Sequence, residues 1–342
     1  MLHSLLYGVK VMTKKPQATI TSVGAYLPKK ILSNDDLAQM VDTSHEWIVT
    51  RTGIEERRVA ETDECTSDMA AKSALTTLAK KNFSPQHIDA IIVSTMTPDF
   101  ICPSTAAIVQ SKIGAPQAAA IDIQAACTGF LYALSIAKGW IESGMYKNIL
   151  VIASEKNSAF IDYQDRNTCV LFGDGSGSVL VQSEGSGYAI RHICLGADGE
   201  QSALFSIPAG GSRLPASQET CQNRLHYMKM DGKEVFKHAV RRMEASAKEC
   251  LEGAQIPEEA ISWLIPHQAN IRIIEAIAKR FQIPWERVRR TIHKYANTSA
   301  ATIPITLAEL EDEAPTKAGD HILLTAFGGG LTWGSALLTK VA

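Results

Sequence analysis

The chain has 342 residues, of which 45% are hydrophobic and 20% charged, a composition typical of a globular protein. Its formal net charge is −2, so no global charge favours binding to nucleic acid or to a membrane surface. Seven scattered cysteines without a Cys-x-x-C pair favour reduced thiols in the cytoplasm over a disulfide framework or a zinc site, and no metal is expected. No apolar run approaches the roughly 18 residues that a membrane-spanning helix requires.

Residues 1–18 carry a short apolar patch followed by lysines, without the long apolar region and small-residue cleavage site of a signal peptide. We therefore expect an N-terminal extension here, or a true start at Met12. The folded part of the chain is expected to begin at about residue 19.

From there, predicted strands and helices alternate, first over residues 19–188 and again over 189–342. In the first half the pattern predicts strands at 18–23, 89–94 and 148–154. It predicts helices from 33, within 42–58 with an end near Gly53, and at 66–80 and 104–113. In the second half it predicts helices at 232–251, 269–281 and 297–310, and strands at 261–266, 321–326 and 335–341. This alternation indicates an α/β fold of two similar halves, with reactive groups at strand ends on one side.

Cys127 lies between a small apolar segment at 118–123, predicted to be a buried strand, and a helix at 128–141 that is apolar on every face. Unpaired backbone N–H groups and the helix dipole at this junction favour a thiolate. A helix terminus contributes at most about 2 kcal/mol, which desolvation opposes, so a nucleophilic Cys127 needs further stabilisation. The alternative is that Cys127 is a buried, unreactive thiol.

His267 and Asn297 supply groups that a nucleophilic cysteine needs. His267 follows the predicted strand at 261–266, and Asn297 is predicted to open the helix at 297–310. A nearby imidazole stabilises a thiolate, and an amide donates to a developing oxyanion without adding charge. The glycines at 328–330 can bring backbone N–H groups close to a substrate oxygen. Each residue alone fits an ordinary structural role, but together they form a Cys, His, Asn constellation at strand ends and helix starts.

Six segments of the chain, in order, resemble the β-ketoacyl-(acyl carrier protein) synthase III family, condensing enzymes that start type II fatty acid synthesis. The segments are 41–54, Ala-Ala-Cys-Thr-Gly-Phe at 125–130, Phe-Gly-Asp-Gly-Ser-Gly at 172–177, Pro-His-Gln-Ala-Asn-Ile-Arg at 266–272, Ala-Asn-Thr-Ser at 296–299 and Ala-Phe-Gly-Gly-Gly-Leu-Thr-Trp-Gly at 326–334. The resemblance implies a thiolase-like fold, in which two pseudo-symmetric βαβαβαββ halves form α-β-α-β-α layers.

The resemblance also implies a two-step acyl transfer. Cys127 would attack an acyl-CoA primer and hold the acyl group as a thioester, with the amides of Cys127 and Gly329 as the oxyanion hole. Malonyl-acyl carrier protein would then lose CO2, while His267 and Asn297 bind its thioester carbonyl and stabilise the enolate. Phe327 would lie beside the thiol. The family implies a homodimer and no cofactor apart from coenzyme A as part of the substrate.

The coenzyme A site implied by the resemblance has five residues. Trp47 and Arg166 would bracket the adenine, and Arg51 would lie at the phosphates. Gly232 and Phe236 would line the tunnel for the pantetheine arm.

Carrier-protein docking is expected on a basic patch, because the carrier protein is acidic. The residues that match the family's candidates are Lys237, Gln268, Arg272, Lys279 and Arg280. The alternative for each cation is an ordinary solvated helix face.

Cys102 departs from the family pattern, which often has Phe at this position to close the acyl pocket from the partner subunit. The smaller Cys102 would leave a longer or wider pocket, with Phe100 two residues earlier. We expect acetyl-CoA to be accepted, with longer or branched primers as the alternative.

Other enzymes with these residue types fit less well. Papain-like proteases share the order Cys, His, Asn, but their cysteine motif differs and lies near the N-terminus. A degradative thiolase would carry a second cysteine near the C-terminal Gly-rich loop, and residues 326–334 contain none. Elongating synthases use two histidines, and plant-type polyketide synthases are usually longer. A condensing enzyme of secondary metabolism stays open, as does, with less support, a non-enzymatic binding paralogue.

Overall fold

The computed structural model describes residues 16–314 and 316–341, so most of the expected N-terminal extension lies outside the described residues. Ala18, the last residue of that extension, is fully buried in the core. No helix in these two ranges is long and apolar enough to span a bilayer.

The strands and helices carry the following bounds. The strands are β1 (Thr19–Tyr26), β2 (Lys30–Ser33), β3 (Glu56–Val59), β4 (Ala90–Ser94), β5 (Ala119–Ile123), β6 (Asn148–Glu155), β7 (Gly175–Gln182), β8 (Gly187–Ala197), β9 (Phe205–Ser206), β10 (Lys229–Met230), β11 (Ile261–Pro266), β12 (His321–Gly328) and β13 (Thr332–Val341). The helices are α1 (Asn34–Ala38), α2 (His45–Thr52), α3 (Thr66–Lys81), α4 (Thr105–Ile113), α5 (Gly129–Glu142), α6 (Arg166–Cys169), α7 (Gln218–Gln222), α8 (Gly232–Ala254), α9 (Ile271–Arg280), α10 (Ile292–Tyr295) and α11 (Thr302–Glu313).

A nine-stranded sheet in the order β11-β12-β13-β8-β1-β7-β6-β4-β5 joins the two halves of the chain. The seam is short: β1 and β8 pair only at Thr19 with Ala189 and at Ile20 with Tyr188. The expected boundary between halves, at 188, falls inside β8.

The two halves repeat one topology. On one side of the seam β1, β7 and β6 are antiparallel neighbours and β6 is parallel to β4. On the other side β8, β13 and β12 are antiparallel neighbours and β12 is parallel to β11. The counterpart of β5 in the second half is reduced to one parallel bridge, between Leu264 of β11 and Val288. The predicted pseudo-symmetry of the two halves is confirmed.

Alternating strand residues pack on opposite faces of the sheet, which produces the predicted layers. A central apolar cluster joins α5 and α11 to one face of both halves, for example through Ile92 and Leu324. A second cluster packs α8 and α9 on the opposite face of the second half, through Leu323. A third packs α3 and α4 on the opposite face of the first half, through Ile91 and Leu150. The α-β-α-β-α arrangement is therefore confirmed, with α5 and α11 as the middle layer.

The helix predicted within residues 42–58 ends near Gly53, as expected. Helix α2 ends at Thr52 because Gly53 adopts a left-handed conformation, φ +76°, which glycine accepts without strain. The chain then forms β3, which pairs antiparallel with β2.

The strand at 118–123 exists as β5, but the prediction that it is buried is wrong. It is the last strand of the sheet order, and in the described part of the chain it pairs with β4 alone. Ile121 is 41% exposed, and the nearby turn exposes Phe100 by 59% and Ile101 by 90%. An apolar strand can thus lie at an unpaired edge, which hydrophobic composition alone does not reveal.

Candidate active site

Cys127 occupies a tight turn, residues 126–128, that leads directly into helix α5, which is buried on one face, including Phe130 and Leu134, and partly exposed on the other. The preceding residue, Ala126, has φ +44°, a left-handed conformation that costs a non-glycine residue about 1–3 kcal/mol. Strain of this kind persists where the surrounding structure enforces it. Only 7% of Cys127 is exposed, so the turn holds its side chain in the interior at the start of a helix.

The glycine-rich loop after β12 passes close to the backbone of Cys127. A Cβ atom on Gly328 would lie 2.7 Å from Cys127 N and 3.1 Å from Thr128 N, so a larger residue there would displace one of the two segments. The Thr332 hydroxyl fastens the loop by donating to Ala125 O at 3.0 Å. The loop therefore needs glycine at 328 in order to lie against the turn that carries the thiol.

His267 follows β11 and is 2% exposed. Its backbone N–H donates to Thr325 O at 2.8 Å, and its Nδ1 lies 2.7 Å from the hydroxyl of Thr302. Burial lowers the pKa of the His267 imidazole to about 3, so the ring is neutral near pH 7.

Asn297 lies two residues before a tight 3-10 turn at Ser299–Ala301, which leads into α11 at Thr302, so the helical segment begins slightly later than the sequence predicted. Asn297 forms an isolated parallel bridge with Phe172. Its side-chain Oδ1 accepts from Ser299 N at 2.8 Å, which leaves the Nδ2 hydrogens available to another acceptor. Its 6% exposure places it in the interior.

The Cys127 thiol is protonated rather than an imidazole-stabilised thiolate. Burial raises its pKa to about 12, and the charge of Glu155 contributes to the rise. Hydrogen bonds from Ser299, from Asn297 and from the thiol's own backbone amide lower the pKa only in part. Among the described residues no hydrogen bond joins the thiol to His267, and the imidazole is neutral. The prediction that His267 stabilises a resting thiolate is therefore wrong, because desolvation of both groups dominates.

Cys127, His267 and Asn297 line one cavity of about 740 Å3, which runs from the exposed residues Asn167 and Lys233 to the buried thiol. The predicted residues that line it, besides these three, are Gly232, Phe236, Phe327 and Gly329. Residues that the sequence analysis did not identify also line it: Asn167, Phe205, Lys229, Lys233, Met243, Asn270 and Leu331. Of these, Asn270 could have been found, since it belongs to the motif that carries His267. No cluster of three His, Cys, Asp or Glu side chains suited to a metal is present in the described ranges.

Trp47, Arg51 and Arg166 come together beside the rim of this cavity. The guanidinium carbon of Arg51 lies 4.4 Å from the centre of the Trp47 ring, and that of Arg166 lies 4.9 Å from it. Arg51 O accepts from the side chain of the lining residue Asn270 at 3.0 Å. These three residues do not themselves line the cavity.

Gln268 cannot contact a carrier protein, because it is fully buried. Its Nε2 donates to Pro266 O at 2.6 Å, and its Oε1 accepts from the backbone N–H of Thr291 at 3.0 Å and of Ile292 at 3.2 Å. The prediction of a docking role is therefore wrong: Gln268 holds the chain before α10 against the end of β11.

The four predicted docking cations differ in their exposure and in the carboxylates that pair with them. Arg272 is exposed and donates to Thr50 O at 3.2 Å, and Lys279 is exposed. Lys237 is exposed and pairs with Glu234 at 2.7 Å. Arg280 is half-buried and bonds two carboxylates at 2.7 and 3.3 Å. Cys102 is exposed in its own chain and does not line that chain's cavity.

Comparison with known proteins gives consistent matches. Residues 121–199 match the family described as 3-oxoacyl-(acyl-carrier-protein) synthase III, and residues 251–340 match its C-terminal part. A beta-ketoacyl-(acyl-carrier-protein) synthase III of Chlamydia pneumoniae is 52% identical over 331 residues, which cover 96% of this chain and 99% of the relative. A relative of the same name from Caldanaerobacter subterraneus subsp. tengcongensis is 50% identical over 327 residues, with coverage of 96% and 99%.

Solved structures agree with these relatives. The 3-oxoacyl-(acyl-carrier-protein) synthase III of Aquifex aeolicus VF5 is 47% identical with a TM-score of 0.87, covering 94% of this chain and 100% of that one. The priming beta-ketosynthase of the R1128 polyketide biosynthetic pathway is 32% identical with a TM-score of 0.87, covering 98% and 99%. Because the similarity extends over nearly the whole chain, this protein belongs to the 3-oxoacyl-(acyl-carrier-protein) synthase III family and is an acyl-transferring condensing enzyme.

Proposed function

We propose that this enzyme starts fatty acid synthesis by condensing an acyl group from acyl-CoA with malonyl-acyl carrier protein, through an acyl thioester on Cys127. The observation that carries the proposal is the convergence of Cys127, His267 and Asn297 on one deep cavity. The names of the relatives support the product, a β-ketoacyl chain on the carrier protein.

In the first step, the sulfur of Cys127 attacks the thioester carbonyl and coenzyme A leaves. The backbone amides of Cys127 and Gly329 are the expected donors to the oxyanion, because the glycine-rich loop packs against the turn that carries the thiol. In well-studied enzymes one such donor is worth about 2.7–4 kcal/mol of barrier lowering.

In the second step, His267 and Asn297 bind the thioester carbonyl of the malonyl group, and loss of CO2 leaves an enolate that attacks the acyl-Cys127 carbonyl. This role needs two N–H donors and no cation. A neutral imidazole has one N–H, and the Asn297 amide has two Nδ2 hydrogens to donate, since Ser299 N engages its Oδ1. The Thr302 hydroxyl is closer to His267 Nδ1, at 2.7 Å, than to Ser299 O, at 3.1 Å. We therefore assign the proton of the imidazole to Nε2.

Coenzyme A would enter past Trp47, Arg51 and Arg166, with its pantetheine arm along Gly232 and Phe236. The two guanidinium groups at the Trp47 ring supply both a stacking surface and charge for phosphate. Lys229 and Lys233, which line the cavity, add cations that the sequence analysis did not assign.

The primer is acetyl-CoA in this proposal, and longer or branched primers fit the second candidate, a priming enzyme of secondary metabolism. The small side chain of Cys102 supports the wider pocket that this candidate needs, and the R1128 priming enzyme shares the fold over nearly its full length. The residue at position 102 would close the acyl pocket of the partner subunit. Both candidate functions therefore involve a homodimer. The seven free cysteines fit the reducing conditions of the cytoplasm.

Mass spectrometry of the intact protein tests the proposal. After incubation with a mixture of acetyl-CoA and C4–C8 acyl-CoA, we expect one acyl mass on the wild-type protein, mapped by digestion to Cys127, and none on Cys127→Ala. Release of that mass on addition of malonyl-acyl carrier protein would complete the reaction. A protein that stays unmodified with every primer would contradict an acyl-Cys mechanism, and the retained mass identifies the primer.

A further inference from the structure

Glu155 is a buried carboxyl group that the two steps above do not use. It ends β6 and is fully buried. No cation pairs with it among the described residues, although an isolated buried charge is costly. A group of this kind close to a reacting centre calls for a chemical explanation.

Neutral donors surround the two oxygens of Glu155. The hydroxyl of Thr97 donates to Oε2 at 2.7 Å, and that of Thr95 donates to it at 3.1 Å. The backbone N–H of Met96 donates at 3.1 Å. The hydroxyl of Ser299 donates to Oε1 at 3.0 Å. These donors suit a carboxylate, but burial outweighs them and raises the pKa of Glu155 to about 7.

Ser299 connects this carboxyl group to the nucleophile. Its hydroxyl bonds Glu155, and the turn at 299–301 that carries it packs against the turn at 126–128 that carries the Cys127 thiol. A hydroxyl is both donor and acceptor, so it can accept from the S–H group while it donates to the carboxylate. Ser299 has φ +53°, so the backbone that holds it in this position is strained.

The other ionisable groups around this cluster are engaged elsewhere. The ammonium group of Lys156, the residue after Glu155, donates to the carbonyl oxygens of residues 61, 62 and 64. The carboxylate of Asp174 accepts from the Ser158 hydroxyl and from Ala60 N. The imidazole of His267 is neutral and bonds to Thr302, as described above. Glu155 is therefore the proton acceptor that is connected to the thiol.

We propose that the Cys127 thiol and the Glu155 carboxyl group share a single proton through the hydroxyl of Ser299. This inference rests on the proposed function, because it treats Cys127 as the nucleophile. Glu155 and Ser299 are positioning residues here, since they act on substrate only through the thiol.

The proton transfer balances over the cycle. As the Sγ–C bond forms, the S–H proton passes to Ser299 Oγ, the Ser299 proton passes to Glu155, and the electron pair of the broken C–S bond leaves with coenzyme A, which takes a proton from water. When the enolate attacks the acyl group, a C–C bond forms, the C–Sγ bond breaks, and the electron pair returns to sulfur. Glu155 then returns its proton through Ser299. The cavity thus never holds a thiolate and a carboxylate together, which avoids two negative charges in a buried space.

A shared proton has a distinctive pH dependence. Below about pH 7 Glu155 is protonated, and raising the pH increases the thiolate fraction about tenfold per unit. Above about pH 7 Glu155 is ionised, and the thiol can pass its proton to Glu155 without changing the net charge of the pair. Because this transfer releases no proton to solvent, the fraction of thiolate paired with protonated Glu155 no longer changes with pH. Replacement of Glu155 by Gln removes the acceptor and restores the tenfold rise per unit.

The test is the rate of Cys127 alkylation by iodoacetamide between about pH 6 and 8, read by mass spectrometry of the digested peptide that carries Cys127 from wild-type protein, Glu155→Gln and Ser299→Ala. We expect the wild-type rate to level off above about pH 7 and the Glu155→Gln rate to keep rising, so that this variant is the more reactive at about pH 8, by roughly tenfold. Ser299→Ala keeps the wild-type shape at a level about tenfold lower, because its thiolate loses a donor.

Three outcomes overturn the proposal: a wild-type rate that rises tenfold per unit across this range, a Glu155→Gln rate that also levels off, or an unchanged rate in Ser299→Ala. Levelling that persists in Glu155→Gln but disappears in His267→Ala would assign the proton to the imidazole instead. Thermal unfolding of each variant identifies any that fail to fold; unfolding would expose Cys127 and raise its alkylation rate at every pH, so only folded variants are compared. Acylation by acyl-CoA is measured separately and reports on the proposed function. Failure of the shared-proton proposal is therefore distinguishable from failure of the proposed function.

Discussion

His267 Nδ1 lies 2.7 Å from the hydroxyl oxygen of Thr302, and both residues are at least 98% buried. The pair fixes the ring, because the backbone N–H of His267 is held by Thr325 at the same time. A neutral imidazole donates from one nitrogen only, so the residue at position 302 determines whether the nitrogen that faces the cavity is a donor.

Thr302→Val should therefore slow condensation and spare acylation. Losing one buried hydrogen bond costs about 1–3 kcal/mol, which corresponds to roughly tenfold to hundredfold in rate if it is lost in the transition state. The measurement is the rate of 3-oxoacyl product formation from pre-acylated enzyme, beside the rate of acylation. Thr302→Ser keeps the hydroxyl and is the matched control, expected near the wild-type rate. Equal condensation rates in Thr302→Val and Thr302→Ser would show that the Thr302 hydroxyl does not set which nitrogen of His267 carries the proton.

Gly328→Ala should reduce acylation of Cys127. The added Cβ would lie 2.7 Å from Cys127 N, a backbone atom that cannot rotate away, so the turn or the loop must move. Since an oxyanion donor is worth about 2.7–4 kcal/mol, we expect at least about a hundredfold slower acylation. Gly199→Ala is the control, because a Cβ there meets nothing within 4 Å. Stopped-flow release of coenzyme A measures both, and an unaffected Gly328→Ala would contradict the close approach.

Gln268→Ala should destabilise the fold instead of weakening carrier-protein binding. It removes the acceptor of two buried N–H groups, those of Thr291 and Ile292, and each unsatisfied group costs about 1–3 kcal/mol. The free energy of unfolding in urea should fall by that order. Gln117→Ala, on an exposed turn, should leave it unchanged. A normal stability together with a raised KM for the carrier protein would return Gln268 to a docking role.

The sequence predicts the catalytic constellation better than its surroundings. Cys127 and His267 follow strands whose apolar runs are unmistakable, and local pattern is enough to place them. Whether a strand lies in the middle or at the edge of a sheet depends on neighbouring strands that are distant in sequence. Local pattern therefore predicts β5 as a buried strand, although it lies at the edge. The apolar pattern does not predict strand β8, because Arg191 and His192 interrupt it.

The positions of Gln268 and Glu155 likewise cannot be predicted from the local sequence. Gln268 follows His267 directly, and only the packing of the segment before α10 decides that it faces inward. Glu155 carries no local signal, because an acidic residue at a strand end is ordinary until Ser299, which is distant in sequence, is placed beside it.

Arg272→Glu should weaken the use of malonyl-acyl carrier protein and spare acylation by acyl-CoA. Arg272 is exposed and has no carboxylate partner in the described ranges, so its charge is available to an acidic protein. We expect KM for the carrier protein to rise by roughly tenfold, with a weaker dependence on salt. Lys81→Glu, on α3 in the opposite outer layer, is the control. Equal effects of the two reversals would indicate net charge instead of a docking site.

Ile101→Asp should dissociate the proposed homodimer into monomers. Strand β5 has an unpaired edge within the described residues, and the neighbouring turn exposes Ile101 by 90% and Phe100 by 59%, which is costly for a chain that stays alone. A charge buried at such an interface has no partner, so association should weaken by at least about a hundredfold. Sedimentation velocity measures this, with Met145→Asp as the control at an apolar residue that is 60% exposed elsewhere. Because Cys102 adjoins Ile101, the monomer should also lose its preference among primer lengths. A wild-type protein that sediments as a monomer would contradict both the dimer and the role of Cys102 in the partner's pocket.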